Sequence, residues 1–519
     1  MDYPEITAIA DIVRTHGAGR PDAVALICGE RTITFAELDA RSSRAAQAFR
    51  AAGVGPGDRV AFIEKNGAEF FEVLCGLAKL GAIAVPVNWR LAAPEMAHII
   101  ADAGARAVVV GEEFFGHLEA IVDDLGSVPT VVAIGEHDRW PAFDDWLSPH
   151  PPEDPGVTTG SDDAAMMMYT SGTTGAPKGV VLSNANFVAK TVGCAEAWRF
   201  SADAVSLAVM PLFHMAGTGW ALVGLYVGCP TVVLRDVDPH AILAAITGHR
   251  VTNMLLVPAV IQRLLATPGV DSADLSSLRV IVYGASPVAE DVVVKAIERF
   301  RCDLIQVYGM TETTGSVTQL NHRAAEPLRS CGKPYPWVEL RVVGPDGRDA
   351  ARGAVGEVWT RSAQNMLGYW NHPAATAATL TPDGWLKTGD VGYLDDAGYL
   401  YLFDRIKDMI VSGGENVYPA EVENVLMDHP QVADVAVIGV PDDTWGEAVK
   451  AIVVPTVAPA SEAALDPAEL IGFARGRLAG YKLPKSVDFA AELPRNPSGK
   501  LLKRQLREPY WCDVDRRVQ

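Results

Sequence analysis

The sequence predicts a mixed α/β chain, doubly wound over most of its length and ending in a compact α+β domain. Three observations predict it. Short apolar runs alternate with amphipathic helical stretches as far as Val307, the mark of strands buried beneath helices. Between Gly332 and Tyr401 the pattern changes to short strands broken by Gly, Pro and Asp. After Asp404-Arg405-Ile406-Lys407-Asp408 it resets to helix, paired strands and helix.

Taken in order, Ile6–Thr15 has helical spacing, and Val24–Cys28 with Thr32–Thr34 reads as a strand pair. Phe35–Ala52 and Glu69–Leu80 place apolar residues on one helical face, with the short apolar strands Val60–Ile63 and Ala82–Val87 after each. Ala204–Met210, Arg279–Tyr283 and Asp303–Val307 continue the buried-strand series. Gly344-Pro-Asp-Gly347 and Asp395-Asp-Ala-Gly398 are turn sequences within a small antiparallel unit. The C-terminal domain is predicted from a helix at Pro419–Met427, strands at Val432–Gly439 and Ala448–Pro455, and a helix over Pro467–Leu478. No internal repeat is found, and Thr456–Leu465 reads as an Ala-rich loop.

At 519 residues the chain calls for two or more domains, and 49% apolar with 21% charged residues suits packed cores. A formal net charge of −20 argues against nucleic acid and anionic membrane surfaces as partners. Any anionic ligand must therefore be held by local cations, backbone amides and metal ions. Seven scattered cysteines without C-x-x-C spacing indicate neither a zinc site nor a disulfide framework, so reduced thiols and a cytoplasmic location are expected. The start Met1-Asp2-Tyr3-Pro4-Glu5 lacks the regions of a signal peptide. The uncharged run Ala216–Leu234 is long enough to span a bilayer, but its four glycines and Pro230 favour a buried helix followed by a strand. No integral membrane association is expected.

Five stretches carry chemistry. Tyr169-Thr-Ser-Gly-Thr-Thr-Gly-Ala-Pro-Lys-Gly179 follows the apolar Ala164–Met168. Gly172 and Gly175 let backbone amides approach an anion, Thr170, Ser171, Thr173 and Thr174 can donate to phosphate oxygens, and Lys178 adds a cation. A Walker A loop needs Lys followed by Ser or Thr, whereas Gly179 follows Lys178 here. Tyr308-Gly-Met-Thr-Glu312 lies beyond Leu304–Val307, where ligands bind in open α/β sheets. Its carboxylate beside a hydroxyl suits Mg²⁺, although a Thr-Glu pair can also simply cap a helix. Trp385-Leu-Lys-Thr-Gly-Asp390 sets an Asp on a tight turn, able to bond vicinal hydroxyls or to serve the turn alone. Asp404 to Pro419 and Pro494-Arg-Asn-Pro-Ser-Gly-Lys500 complete the set; taken alone, Lys500 reads as a surface lysine.

In this order the five stretches resemble the adenylate-forming superfamily, the group of acyl-coenzyme A synthetases, peptide-synthetase adenylation domains and beetle luciferases. The resemblance covers nearly the whole chain. It implies a large N-terminal domain of two doubly wound α/β subdomains plus a small β-barrel, with a smaller mobile α+β C-terminal domain. On that likeness residues 1–404 form the AMP-binding domain, 405–408 the hinge and 409–519 the cap. It implies that Thr170–Gly179 handles the β- and γ-phosphates, that Gly284, Ala285, Ser286 and Tyr308 with Gly309 and Met310 form the adenine site, and that Thr311 and Glu312 contact phosphate. Glu312 and Thr170 would hold Mg²⁺. Asp390 and Arg405 correspond to the ribose clamp, Lys407 to the hinge residue and Lys500 to the catalytic lysine of adenylation. Gly414 falls where the pantetheine arm passes, and Asn416 where relatives often place a polar residue. His214 corresponds to a gate beside the reacting carboxylate, although a buried, satisfied core histidine is the plainer reading.

The activity implied is ATP-dependent ligation of a carboxylic acid to a thiol through an acyl-adenylate. ATP, Mg²⁺ and coenzyme A are the expected cofactor and co-substrates. Relatives that activate amino acids carry an acidic residue in the motif matching Pro211-Leu-Phe-His214, and none is present here, so an amino acid is not expected. Met215, Trp220, Val257, Pro258, Gly309, Met310 and Gly315 are expected to line the acyl pocket with His214, and their small or apolar character suits a medium or bulky hydrophobic acid. With nineteen residues after Lys500, no appended carrier domain is expected and the acceptor is a diffusible thiol. The alternatives are an acyl-AMP ligase loading a separate carrier protein, and an inactive acyl or nucleotide sensor, whose expected mark is loss of Lys500, Glu312 or the phosphate loop. Oligomeric state is not set by the sequence, which permits a homodimer.

Overall fold

The computed structural model describes residues 3–125, 130–170, 177–285, 288, 290–322, 327–405, 408–412, 415–442, 445–456, 465–475, 477–478, 480–495 and 501–511. The chain divides into two units, Met1–Glu339 with Thr360–Leu386, and Leu340–Trp359 with Lys387–Gln519.

The first unit contains two sheets among its described residues. In the nine-stranded sheet the central strands Val24–Cys28, Thr231–Val233, Ser206–Ala208, Asn253–Leu256, Val280–Gly284 and Asp303–Met310 run parallel, in that spatial order. These strands are almost continuously apolar because helices cover both faces. Antiparallel strands close the edges, Arg31–Thr34 at one and Gly315–Asn321 with Lys333–Pro334 at the other. The second sheet has seven strands; Arg59–Ile63, Ile83–Pro86, Ala105–Gly111 and Thr130–Ile134 are parallel, Ala164–Thr170 joins them in parallel, and Lys178–Ser183 turns back on it.

Local sequence explains the helices. Thr34 caps Phe35–Ala51 by accepting from the Glu37 amide while the Glu37 carboxylate accepts from the Thr34 amide, a capping box. Phe35, Leu38, Ala45 and Phe49 then face inward with less than 1% exposure. The uncharged run after His214 forms the helix Met215–Val227 and the strand Thr231–Val233, both buried, as its glycines and Pro230 predict. No helix among the described residues is long and apolar enough to cross a membrane.

The second unit holds the four-stranded sheet Glu339–Val343, Gly356–Arg361, Leu386–Leu394 and Leu400–Arg405. Its turns fall at Gly347 and Gly398, both with positive φ, in the two turn sequences read above. A further sheet is centred on the antiparallel pair Val432–Asp442 and Gly446–Pro455, which packs Val437, Val449 and Val453 against Val422 and Leu426 of the helix Pro419–Met427 and Leu470 of the helix Pro467–Arg475. Six described cysteines are free.

Candidate functional site

In the nine-stranded sheet Ser206–Ala208 is followed by a strand on one side, while Asn253–Leu256 lies on its other side. Connections therefore diverge at this point, and a crevice opens beyond the C-terminal strand ends. The segments leaving those ends are Met210–His214, Val257–Pro258 and Ala285. His214 N-caps the helix Met215–Val227, its carbonyl accepting from the Gly217 and Thr218 amides at 3.0 Å each. Val257 caps the helix Pro258–Leu265. Ala285, directly after Gly284, has φ of +71°, a left-handed conformation that an alanine adopts only under constraint from its surroundings. His214, Met215, Val257, Pro258, Gly284 and Ala285 thus leave the C-terminal ends of this sheet's strands, four of them fifty or more positions before Tyr308.

That motif is not a loop. The strand Asp303–Met310 continues through Tyr308, Gly309 and Met310, and pairs antiparallel with Gly315–Asn321. The reversal is one tight turn, Thr311–Thr313, after which Thr314 has φ of +51°. Gly309 is required here, since a Cβ would lie 1.9 Å from the Gly315 carbonyl oxygen. The effect is to hold Glu312 at the strand end in a rigid turn. Glu312 is buried, at 7% exposure.

Its surroundings come from a segment that sequence spacing does not reveal. The Tyr369 hydroxyl donates to Glu312 Oε1 at 2.9 Å, and the Met366 amide donates to the Glu312 carbonyl at 2.8 Å. The ring of Tyr369 also lies 5.5 Å from the Lys178 ammonium. Gly368–Tyr369 pairs with Val180–Val181, so the same segment is the edge strand beside the Lys178 hairpin. Gln364 donates to the Thr313 and Ser316 carbonyls at 2.8 Å each and accepts from the Trp337 indole at 2.9 Å. Asn186, in the helix Asn184–Ala197, donates to the Ala363 and Asn365 carbonyls at 2.8 Å each. Residues 363–370 thus tie the Lys178 hairpin to the Glu312 turn. Thr170 stands opposite Lys178 across that hairpin, and the Tyr169 hydroxyl donates to Asp102 at 2.6 Å. Ser171, Gly172, Thr173, Thr174 and Gly175 lie outside the described residues, as do Ser286, Lys407, Gly414 and Lys500.

His214 is partly buried, and its Nε2 atom is shut off from solvent with no hydrogen-bond partner among the described residues. Burial, with a smaller contribution from the Arg90 charge, pushes its imidazole down to about 4. At neutral pH it is therefore an uncharged wall, with an imidazolium fraction of about one in a thousand. Arg90 stacks on Trp89 at 4.5 Å and reaches the Phe213 ring at 6.0 Å, so a cation stands behind the gate position. Its place was not read from the sequence, where one arginine after a tryptophan has no periodic signature.

In the second unit Asp390 is buried and lies within the strand Leu386–Leu394, not on a free turn; positive φ at the preceding Gly389 makes the bend inside the strand. Antiparallel register sets Asp390 directly opposite Arg405. The two residues assigned to one ribose by resemblance are therefore neighbours in the sheet.

A single buried carboxylate beside hydroxyls suits Mg²⁺, which takes one or two carboxylates and completes its shell from phosphate and water. Glu312 is a buried carboxylate of that kind, bonded by the Tyr369 hydroxyl, and no cluster of three or more His, Cys, Asp or Glu that could hold a metal ion occurs among the described residues.

Parallel strand ends, a strand reversal between Thr170 and Lys178 and a buried carboxylate are features of an α/β protein suited to a nucleotide. The chain belongs to the AMP-binding enzyme family, whose profile matches residues 13–370, with the AMP-binding enzyme C-terminal domain matching 421–500; this is the adenylate-forming superfamily. It is 39% identical over 531 residues to the fatty acid–[acyl-carrier-protein] ligase ScoC of Streptomyces coeruleorubidus, covering 100% of this chain and 99% of that one. It is 41% identical over 492 residues to a feruloyl-CoA synthase of an Amycolatopsis species, covering 94% and 96%. ATP-bound MatB from Rhodopseudomonas palustris superimposes with a TM-score of 0.89 at 30% identity, over 97% of this chain and 99% of that one.

Proposed function

We propose that the chain is an ATP-dependent acid–thiol ligase that converts a hydrophobic carboxylic acid to acyl-AMP, releasing pyrophosphate, and then to acyl-CoA, releasing AMP. The observation that carries the reading is the buried Glu312, bonded by Tyr369 whose ring faces Lys178. A carboxylate and a lysine held on the two sides of one tyrosine make a bipolar site, fitted to a metal-bound polyphosphate.

The chemistry follows from charge. A carboxylate oxygen attacks the α-phosphorus, the bond to the bridging oxygen of pyrophosphate breaks, and the electron pair leaves with pyrophosphate. Repulsion between carboxylate and triphosphate opposes the approach. Lys178 and the hairpin amides take the β- and γ-phosphates, Thr311 hydrogen-bonds phosphate, and Lys500 faces the charge that grows in the transition state, where a fixed cation counts most. Glu312 and Thr170 would hold Mg²⁺, which would supply charge neutralisation on the phosphates. Asp390 and Arg405 bind the ribose; Gly284, Ala285, Ser286, Tyr308, Gly309 and Met310 bracket the adenine. His214, uncharged, keeps water from the reacting carbonyl without adding charge. A thiol then attacks that carbonyl and AMP leaves, with Gly414 beside the thiol's arm. Residues 1–404 act as the binding domain and 409–519 as a cap turning at Lys407.

The curated relatives named above join acids to coenzyme A or to a carrier protein, which supports the class. The acceptor has a second reading, a separate carrier protein, favoured by the 39% identity to ScoC across the full chain. A pyrophosphate-release screen across short, medium, long, aromatic and polycyclic acids, with and without coenzyme A, tests both. Acid-dependent release that multiplies on adding coenzyme A is expected. Release that needs an acid but ignores coenzyme A in multiple turnover selects the carrier reading, and absence of acid-dependent release overturns the proposal.

A further inference from the structure

Lys190, in the helix Asn184–Ala197, is used by nothing above. It is 2% exposed, yet no carboxylate among the described residues pairs with it. Its ammonium donates to the Gly219 carbonyl and sits 4.8 Å from the Trp198 ring. An ammonium has three donors, so two are left without an acceptor among the described residues. Burial pulls it down to about 8, the nearby Cys194 partly offsetting the fall.

Its neighbours place it in the acyl pocket. A Cβ on Gly219 would come 3.1 Å from Lys190 Nζ, and one on Gly315 would come 3.7 Å from its Cε and 3.5 Å from Met215 Cγ. Met215 and Gly315 are pocket residues on the reading above. Trp220 stacks on the same Trp198 at 5.3 Å and 26°, and its own indole Nε1, in a side chain 2% exposed, has no partner among the described residues. Two buried donors therefore stand beside Met215 and Gly315, which are expected to line the acyl pocket along with Trp220 itself. Leaving a buried donor unpaired is unfavourable, and more so for a charged one. Gly219 is five residues along the helix from His214, or about 7.5 Å deeper at 1.5 Å per residue.

We propose that Lys190 and Trp220 are specificity-determining residues that hydrogen-bond an acceptor oxygen at the far end of the acyl group. The substrate class is then a carboxylic acid with an apolar body and a terminal oxygen, a second carboxylate or a phenol. The inference rests on the ligase reading of the site.

ATP–pyrophosphate exchange with two matched pairs, octanoate against octanedioate and cinnamate against para-hydroxycinnamate, tests it with the full chain. The wild type prefers the oxygen-bearing member of one pair by tenfold or more in kcat/KM; the pair that responds distinguishes carboxylate from phenol. Lys190→Met reduces that preference below twofold, and Trp220→Phe, which keeps the ring, reduces it in part. Exchange with these acids but no preference in either pair overturns the inference and leaves the ligase reading standing. So does a preference that survives Lys190→Met, which would make the lysine a tie between the helices Asn184–Ala197 and Met215–Val227 and nothing more. Exchange with none of the four acids overturns the ligase reading along with it. Should Lys190→Met fail to fold, the wild-type preference and Trp220→Phe decide.

Discussion

Tyr369→Phe removes one hydroxyl and leaves the ring beneath Lys178 in place. The lost bond runs from a phenol to a carboxylate at 2.9 Å, with Glu312 only 7% exposed. A hydrogen bond to a charged group in such a setting contributes about 1.5–3 kcal/mol. If Glu312 must hold one orientation while charge shifts onto pyrophosphate, that energy passes into the barrier, slowing adenylation about 10- to 150-fold. Tyr369→Leu removes the ring as well, and the lost cation–π contact with Lys178 adds about 0.5–1 kcal/mol. The assay is ATP–pyrophosphate exchange at saturating acid, repeated across a magnesium titration. Both variants should need more magnesium for half-maximal rate, because the carboxylate that holds the ion has lost its orienting donor. Thioester formation from supplied acyl-adenylate should be unchanged within about twofold. A Tyr369→Phe enzyme with wild-type exchange and an unshifted magnesium requirement would refute the placing of Glu312 at the metal-bound phosphates.

Other outcomes follow from the same geometry. Lys500→Ala should slow adenylation about a hundredfold or more, the scale of losing one transition-state charge contact, and spare thioesterification of supplied acyl-adenylate; equal losses in both half-reactions would contradict its role. His214 is held at about 4 in the folded chain against 6.5 when unfolded, so its contribution to stability is complete above pH 6.5 and lost as pH falls toward 4. That contribution is about 3 kcal/mol, and denaturant unfolding at pH 7 and pH 4.5 should show a shallower acid loss in His214→Gln by about 2–3 kcal/mol. Identical acid losses in the two proteins would place the histidine in water.

Much of the fold was legible because its signals are local. The strand before the Gly/Thr stretch and the turns at Gly347 and Gly398 each depend on residues a few positions apart. The buried character of Met215–Val227 was also legible, since glycines and Pro230 mark a packed helix followed by a strand. Less was legible at the site. Tyr308–Met310 reads as a loop beyond a strand because glycine weakens strand patterns, whereas pairing with Gly315–Asn321 carries the strand onward. Asp390 next to Gly389 reads as a turn for the same reason. Tyr369 and Gln364 act on Glu312 and its turn from about fifty residues away, through contacts that periodicity does not encode. Lys190 is the clearest case. A lysine in a helix is read as solvated, and only the packing against the helix Met215–Val227 shows that it is buried.

The central claim is that the carboxylate oxygen of the acid becomes bonded to the α-phosphorus. Supplying acid labelled with ¹⁸O in its carboxylate, together with ATP, Mg²⁺ and coenzyme A, tests it in one turnover series read by mass spectrometry of the nucleotide. The account predicts AMP carrying one labelled oxygen, because the thiol displaces AMP with the oxygen that made the first attack. Unlabelled AMP, or label appearing in phosphate beside ADP, would contradict it.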